Sequence, residues 1–170
     1  MNRIFATLGS IVFLVIAPGV VAGLVPWWIT RWERKSPLPD YLALRIAAFA
    51  LIAFGLIVLL DSFARFALQG IGTPAPVLPT RHLVVSGFYR HVRNPIYVAV
   101  TALVLGQALL FANVTLLVYG ALLWIAFHVF VVVYEEPTLH RSFGAGYDAY
   151  CANVPRWLPR LRPWDLRTVP

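Results

Sequence analysis

The sequence predicts an all-α, polytopic membrane helix bundle with about four transmembrane helices, two of them in a helical hairpin, and a C-terminal cytoplasmic amphipathic helix. The 170 residues are 60% hydrophobic and 12% charged, whereas soluble domains average roughly a quarter charged residues. Four apolar runs approach the roughly 20 residues that one membrane crossing requires. We expect a single membrane domain over residues 1–170. The single cysteine, Cys151, excludes an intrachain disulfide, and no spacing of ligand residues indicates a metal site.

The first two apolar runs predict two transmembrane helices joined by a short polar loop. Residues 4–30 contain no charged side chain and exceed the length of a cleaved signal peptide, so we expect a retained helix there. After the loop at residues 31–40, the second helix is expected at about residues 41–68. Asp61 and Arg65 are four positions apart in it, share a helix face and are expected to pair.

Two further apolar runs predict the hairpin. They follow a connector, residues 69–85, whose glycines and prolines oppose regular helix. The two arms are expected at residues 95–111 and 114–134, with only Ala112 and Asn113 between them. So short a link permits only antiparallel arms, each about 30 Å long at 1.5 Å per residue.

The remaining residues, 135–170, predict a cytoplasmic surface helix and tail. This segment is polar and amphipathic, and Pro137 suits the first turn of a helix. Aromatic residues alternate with arginines in it. We expect Trp157 and Trp164 to anchor the segment at the lipid headgroups.

The distribution of basic residues predicts a membrane orientation. The net charge is +7, but the basic residues do not form one run and instead cluster beside the apolar spans, which favours membrane lipids over nucleic acid as partners. With four spans, ten basic residues fall on the face that carries both termini and four on the opposite face. The positive-inside rule then places both termini in the cytoplasm, and we expect a bacterial inner membrane.

The hairpin predicts a site assembled from two distant segments. Because its arms are antiparallel and of similar length, Arg93 at the start of the first arm and Glu135 at the end of the second should be neighbours. Pro95 fits the first turn of a helix, whose N-terminus favours an anion. Glu135 and Glu136 lie at a helix C-terminus, where negative charge is disfavoured unless a cation is bound nearby.

His128 is a further candidate on the second arm. Trp124, His128 and Glu135 are spaced by four and seven residues, so a regular helix presents them on one face. An ionisable residue about 10 Å inside the membrane is a candidate functional group, although a neutral histidine hydrogen-bonded to a neighbouring helix is the alternative that we favour. Tyr97, on the first arm, either stacks on a flat ligand or belongs to an aromatic belt.

Three blocks of the sequence resemble the isoprenylcysteine carboxyl methyltransferase-like family, whose pattern phospholipid N-methyltransferases share. The blocks are "GFYRHVRNPIY", the Glu135-Glu136 pair after an apolar hairpin, and "FGAGYDAYCANVPRWLP". The resemblance implies an S-adenosyl-L-methionine-dependent membrane methyltransferase, with S-adenosyl-L-homocysteine as product and a lipid-like or prenylated acceptor. The residues that match the family pattern are Arg93, Pro95, Tyr97, Glu135, Glu136, Tyr147, Tyr150 and Arg156. Asn94 differs, because it stands where the family usually has histidine.

The resemblance also implies roles for these residues. Arg93 and the helix start at Pro95 would take the carboxylate of S-adenosylmethionine, and one of the two glutamates would take its ammonium group or ribose hydroxyls. The aromatic and polar residues that complete the cofactor site would be Tyr89, Asn94, Tyr97, Tyr147 and Tyr150. The C-terminal block would close over the cofactor, with Arg156 near the reacting methyl group. An amine or thiol acceptor would need a base, for which Glu135, Glu136 and His128 are candidates.

Other functions stay open at this point. Within the family, the acceptor could be a phospholipid amine or a small thiol. Sterol-type membrane reductases that use NADPH have a similar C-terminal half. A membrane scaffold without enzymatic activity is the third alternative, and it predicts that no cofactor binds.

Overall fold

The computed structural model describes residues 12–33, 41–69 and 83–164, and of residues 66–69 it describes the backbone alone. The helices in these ranges are α1 (Val12–Thr30), α2 (Leu42–Gln69), a 3₁₀ turn (Gly87–Arg90), α3 (Pro95–Leu110), α4 (Val114–Phe143) and α5 (Ala145–Asn153). The predicted all-α class is confirmed. The expectations for residues 4–11, 34–40, 70–82 and 165–170 lie outside the described residues.

Three of the helices are long and apolar enough to cross a membrane, namely α1, the Leu42–Arg65 part of α2, and α4. The first hairpin arm, α3, has 16 residues and measures about 24 Å, which is shorter than the roughly 30 Å hydrocarbon core. The predicted arm, residues 95–111, differs from this helix only at its last residue. Large apolar side chains point outward from α2 and α4, such as Ile57 (62% exposed) and Val133 (70% exposed). Such a surface belongs in lipid, and the protein is an integral membrane protein.

Two glycines let α2 and α3 approach closely. A Cβ atom on Gly55 would lie 2.8 Å from the carbonyl oxygen of Ala99, and one on Gly106 would lie 2.9 Å from that of Ala48. Any larger side chain would push the two backbones apart, as expected where membrane helices pack through small residues. This contact fixes the position of α3, which carries half of the site.

A π-helical turn at Val20–Leu24 interrupts the regular α-helical pattern of α1 just before Pro26. The wider turn and the proline, which has no N–H, together release two carbonyl groups from the helix ladder. The side chains of the hairpin bond both: Gln107 Nε2 donates to Ala22 O at 2.7 Å, and Tyr119 Oη donates to Val21 O at 3.0 Å. These two side chains thus attach α1 to the hairpin. They also supply the hydrogen bonds that the carbonyl groups could not obtain from lipid.

The hairpin turn matches its prediction. Asn113 caps α4 by accepting a hydrogen bond from the N–H of Leu116 at 3.0 Å, and Ala112 turns the chain with a φ of 50°. The end of the second arm differs from its prediction, because α4 does not stop at Tyr134 but continues to Phe143 through a second π turn. Pro137 lies in the first turn of the regular helix that follows that π turn, which is the position that its prediction gives it, although this helix continues directly from the second arm.

The C-terminal segment folds back onto the start of the hairpin. Tyr147 and Tyr150 of α5 form a buried cluster with Val154 and Trp164. Trp164 is only 4% exposed, so its predicted role as a headgroup anchor is wrong. The exposed apolar residues of this segment are Leu158 (81%) and Leu161 (98%).

Candidate functional site

The end of α2 supports the segment that leads into the site. Arg65 donates to Asp61 through Nε at 2.8 Å and Nη2 at 2.9 Å, which is the predicted ion pair. The guanidinium lies against Gly87, where a Cβ atom would be 1.8 Å from Arg65 Nε. Gly87 also has a φ of +54°, a conformation that favours glycine. The glycine that begins the "GFYRHVRNPIY" block is therefore required for two reasons: Arg65 leaves no room for a side chain there, and the backbone conformation favours glycine.

Backbone hydrogen bonds hold this segment against the C-terminal tail. Arg93 N donates to Pro155 O at 2.9 Å, and Arg160 N donates to His91 O at 3.0 Å. Asn94 adds a side-chain bond, since its Nδ2 donates to the carbonyl oxygen of Arg156 at 3.2 Å. Asn94 is 7% exposed. Its amide therefore fixes the backbone of Arg156, a contact that needs a hydrogen-bond donor and no ionisable group.

Glu136 joins two arginines into an ion cluster. It accepts a hydrogen bond from Arg93 Nη1 at 2.9 Å and a bidentate pair from Arg156, through Nε at 2.7 Å and Nη2 at 2.8 Å. This acceptor raises the pKa of the Arg156 guanidinium. Arg93 Nη1 also lies 2.8 Å from Cys151 Sγ. Residues 43 positions apart thus meet, as the hairpin predicts, although Arg93 pairs with Glu136 and not with Glu135.

Glu135 has a different environment from its neighbour. One of its oxygens accepts a hydrogen bond from Tyr97 Oη at 2.8 Å, and the ring of Tyr97 packs on Phe127 with centroids 4.7 Å apart. Both carboxylates line one cavity, but Glu136 is bonded by two arginines, whereas Glu135 is bonded by a tyrosine hydroxyl. The two adjacent carboxylates are therefore not equivalent.

The π turn at Val131–Glu135 decides which way Glu135 points. An α-helix turns about 100° per residue, so a spacing of seven would place Glu135 within about 20° of His128. The π turn inserts one extra residue and rotates the residues after it by about 100°, onto the face of Phe127. The predicted common face of His128 and Glu135 is therefore wrong.

A cavity of about 410 Å³ opens beside these residues. Its lining includes all nine predicted cofactor-binding residues, namely Tyr89, Arg93, Asn94, Pro95, Tyr97, Glu135, Glu136, Tyr147 and Tyr150. Arg93 is the one basic residue among the described residues of the lining. Its Nε is buried and has no hydrogen-bond partner within the described part of the chain, so a donor is available beside the cavity.

The other two candidates, Arg156 and His128, lie beside the cavity lining. Arg156 reaches the site through Glu136. His128 is on the exposed side of α4, where its Nδ1 accepts a hydrogen bond from Trp157 Nε1 at 3.1 Å. The ring of Trp157 also contacts Trp124, with centroids 4.5 Å apart.

Burial keeps the tyrosines of the site neutral. It raises the pKa of Tyr89, Tyr147 and Tyr150. Tyr150 donates from its hydroxyl to the carbonyl oxygen of Tyr89 at 2.7 Å, which ties α5 to the 3₁₀ turn. These phenols therefore act as hydrogen-bond donors and flat apolar walls.

Sequence reasoning missed the apolar half of the cavity. It is lined by residues of α1 and α4, including Phe13, Pro18, Val21, Phe127 and Phe130. Pro18 and Pro26 were recognisable as interruptions of the first span. Nothing in their spacing, however, indicates that α1 packs beside the second hairpin arm.

Comparisons with known proteins match the part of the chain that carries this site. A family model described as phospholipid methyltransferase matches residues 44–146, more than half of the chain. The protein-S-isoprenylcysteine O-methyltransferase of Schizosaccharomyces pombe is 36% identical over 80 residues, which are 46% of this chain and 34% of that protein. The matched segment therefore spans about a third of the relative.

Proposed function

Because this chain belongs to the phospholipid methyltransferase family, we propose that it is a membrane methyltransferase that uses S-adenosylmethionine and acts on a lipid-like acceptor, as an isoprenylcysteine carboxyl methyltransferase does. The observation that supports this most directly is the cavity, whose described lining combines Arg93, the carboxylates of Glu135 and Glu136 and several tyrosines with an apolar wall. Few ligands other than S-adenosylmethionine with a lipid-like acceptor need a basic group, a carboxylate, tyrosines and an apolar wall in one cavity.

The residues of the cavity fit S-adenosylmethionine chemically. Its volume of about 410 Å³ is within the range of small-molecule sites, roughly 300–1,000 Å³. Arg93 is suited to the carboxylate of the amino-acid part, because its buried Nε is without a partner among the described residues and the α3 N-terminus at Pro95 adds a favourable dipole. Glu135 is suited to the ammonium group or the ribose hydroxyls, and Tyr89, Tyr97 or Tyr147 to the flat adenine.

The apolar half of the cavity suits the acceptor. Phe13 of α1 and Phe127 and Phe130 of α4 line it, and aromatic walls favour burial of a prenyl or acyl chain by the hydrophobic effect. The matched relative is named for O-methylation of isoprenylcysteine, so we propose an acceptor with a chain of that kind and a carboxylate. Arg156, held in place by Glu136, is the group we propose to meet that carboxylate.

The residues contribute mainly alignment. S-adenosylmethionine supplies an activated methyl group for in-line displacement by a nucleophile. Arg93, Glu135 and the tyrosines would hold donor and acceptor in line and exclude water, and orientation of this kind can supply roughly 7–11 kcal/mol of rate enhancement. A carboxylate acceptor needs no base. For an amine or thiol acceptor, Glu135 is placed to take the proton.

The proposed orientation follows from the length of α3 and the positive-inside rule. The site lies at the start of this 16-residue helix, so we place it at the cytoplasmic boundary of a bacterial inner membrane, where a soluble cofactor and a membrane-embedded chain can both reach it. Both termini would then be cytoplasmic.

Ligand binding to the purified protein in detergent tests the proposal. We expect S-adenosylhomocysteine to bind wild type and to bind Arg93→Ala much more weakly, while Arg141→Ala, a substitution of an exposed arginine on the last turns of α4, keeps wild-type affinity. Binding of NADPH without S-adenosylhomocysteine would replace the methyltransferase by a reductase. Binding of neither would favour a scaffold.

A further inference from the structure

An aromatic cluster outside the cavity joins the C-terminal segment to α4. Trp157 Nε1 donates to His128 Nδ1 at 3.1 Å. The ring of Trp157 lies 4.5 Å from that of Trp124 and 5.9 Å from that of His128, measured between centroids. Trp124 and His128 are one helical turn apart, so together they present one surface to the indole.

The cluster lies next to the ion pairs of the site. Trp157 directly follows Arg156, whose guanidinium makes a bidentate pair with Glu136 at 2.7 and 2.8 Å. Glu136 is eight residues after His128 on the same helix. The guanidinium of Arg156 and the indole of Trp157 therefore attach the same segment to α4 at two positions along the helix.

We propose that Trp124, His128 and Trp157 form a latch that positions Arg156 on Glu136 and thereby keeps the C-terminal segment, residues 154–164, closed against α4 beside the cavity. His128 is in this account a positioning residue. The consequence of the latch for catalysis rests on the proposed methyltransferase function, whereas its effect on the attachment of the C-terminal segment to α4 does not.

The surroundings of the latch explain why the indole needs a hydrogen-bond acceptor on α4. Neighbouring side chains on α4, such as Ile125 (57% exposed) and Val129 (53% exposed), face lipid. Because lipid offers no hydrogen-bond acceptor, an indole N–H that faces it without a protein acceptor costs free energy. Neutral His128 supplies that acceptor on Nδ1, which requires its proton to be on Nε2.

The segment that the latch holds has no regular secondary structure from Val154 to Trp164. Its other attachments are to the chain just before α3 and include the hydrogen bonds from Arg93 N to Pro155 O and from Arg160 N to His91 O. Loss of the latch should therefore loosen this segment while the helices stay intact.

Hydrogen–deuterium exchange of the purified protein in detergent tests closure without any ligand. We expect Trp157→Phe, which keeps a ring but loses the donor, to raise exchange of peptides over residues 155–164 by about fivefold, the factor for one hydrogen bond of about 1 kcal/mol. His128→Phe should do the same, and His128→Gln, which keeps an acceptor, should restore protection. Trp28→Phe, at an exposed tryptophan of α1 (67%), is the matched control.

A double variant shows whether the two side chains act together. If they do, His128→Phe combined with Trp157→Phe raises exchange no more than either single substitution. Multiplying effects, or wild-type exchange in both single variants, would overturn the latch. In ligand titrations the same variants should weaken S-adenosylhomocysteine binding by a similar factor. Raised exchange in a protein that binds no S-adenosylhomocysteine would support the latch and contradict the proposed function.

Discussion

The carboxylate of Glu136 is the most informative group to remove, because three hydrogen bonds from two arginines end on it. Glu136→Gln keeps the shape of the side chain and removes its charge. Arg93, whose side chain is 13% exposed, then has no counter-ion at 2.9 Å, and Arg156, 34% exposed, loses its bidentate partner.

The free-energy cost of losing these ion pairs follows from how exposed the two arginines are. Breaking a fully buried ion pair costs about 3–5 kcal/mol, whereas an exposed pair is worth about 0–1 kcal/mol. The Arg93 pair lies between these limits, at about 2 kcal/mol, and the more exposed Arg156 pair adds less than about 1 kcal/mol after solvent screening. If this whole loss appears in ligand binding, it corresponds to roughly a 30- to 150-fold increase in Kd, which is therefore the upper limit of the effect.

Isothermal titration with S-adenosylhomocysteine measures this change, with the melting temperature as a check of folding. Asp148→Asn is the matched control, because that carboxylate is 61% exposed and pairs with His140, so its loss should change Kd by less than about fivefold. Wild-type affinity in folded Glu136→Gln would refute the idea that the ion cluster organises the binding site.

Three further substitutions, one of them with a matched control, separate the site from the scaffold. Tyr97→Phe removes the hydrogen bond to Glu135 and should raise the Kd of S-adenosylhomocysteine up to about tenfold at an unchanged melting temperature; a lower melting temperature with normal Kd would make the bond purely structural. Gly87→Ala should lower the melting temperature, because φ is +54° and Arg65 occupies the space of a Cβ atom, at a cost of about 1–2 kcal/mol or more. Gly146→Ala, with open space around it, should be tolerated, and equal melting temperatures for both would contradict this reasoning. Gln107→Leu leaves a carbonyl of α1 without its donor and should cost about 1–3 kcal/mol in thermal unfolding; no change would show that another group replaces it.

Antiparallel geometry and charge were sufficient to predict where the site forms. Two apolar runs with a two-residue link require a hairpin, and a hairpin returns the chain to the level at which it left. The meeting of Arg93 with the two glutamates followed from counting residues. The residues lining the cavity were predictable for a related reason, since most of the polar ones belong to the same three sequence blocks.

Finer features depend on departures from regular helix. Counting in steps of 3.6 residues put His128 and Glu135 on one face, and the π turn at Val131–Glu135 moved them apart. Both π turns end two residues before a proline, Pro26 or Pro137, so the prolines were the available signal. The burial of Trp164 had no such signal in the sequence, because it depends on a tertiary contact with Tyr150, whose ring centroid lies 5.9 Å away.

The central claim is that the protein uses this cavity to transfer a methyl group to a lipid-like acceptor. The direct measurement is to incubate the purified protein with methyl-labelled S-adenosylmethionine and a total lipid extract, and to separate the lipid classes. The account predicts that label enters one class with wild-type protein, and that Arg93→Ala reduces this incorporation to background. Absence of label from every lipid class, in a protein shown to bind S-adenosylhomocysteine, would contradict a lipid-like acceptor, and equal labelling by Arg93→Ala would contradict this cavity as the site of transfer.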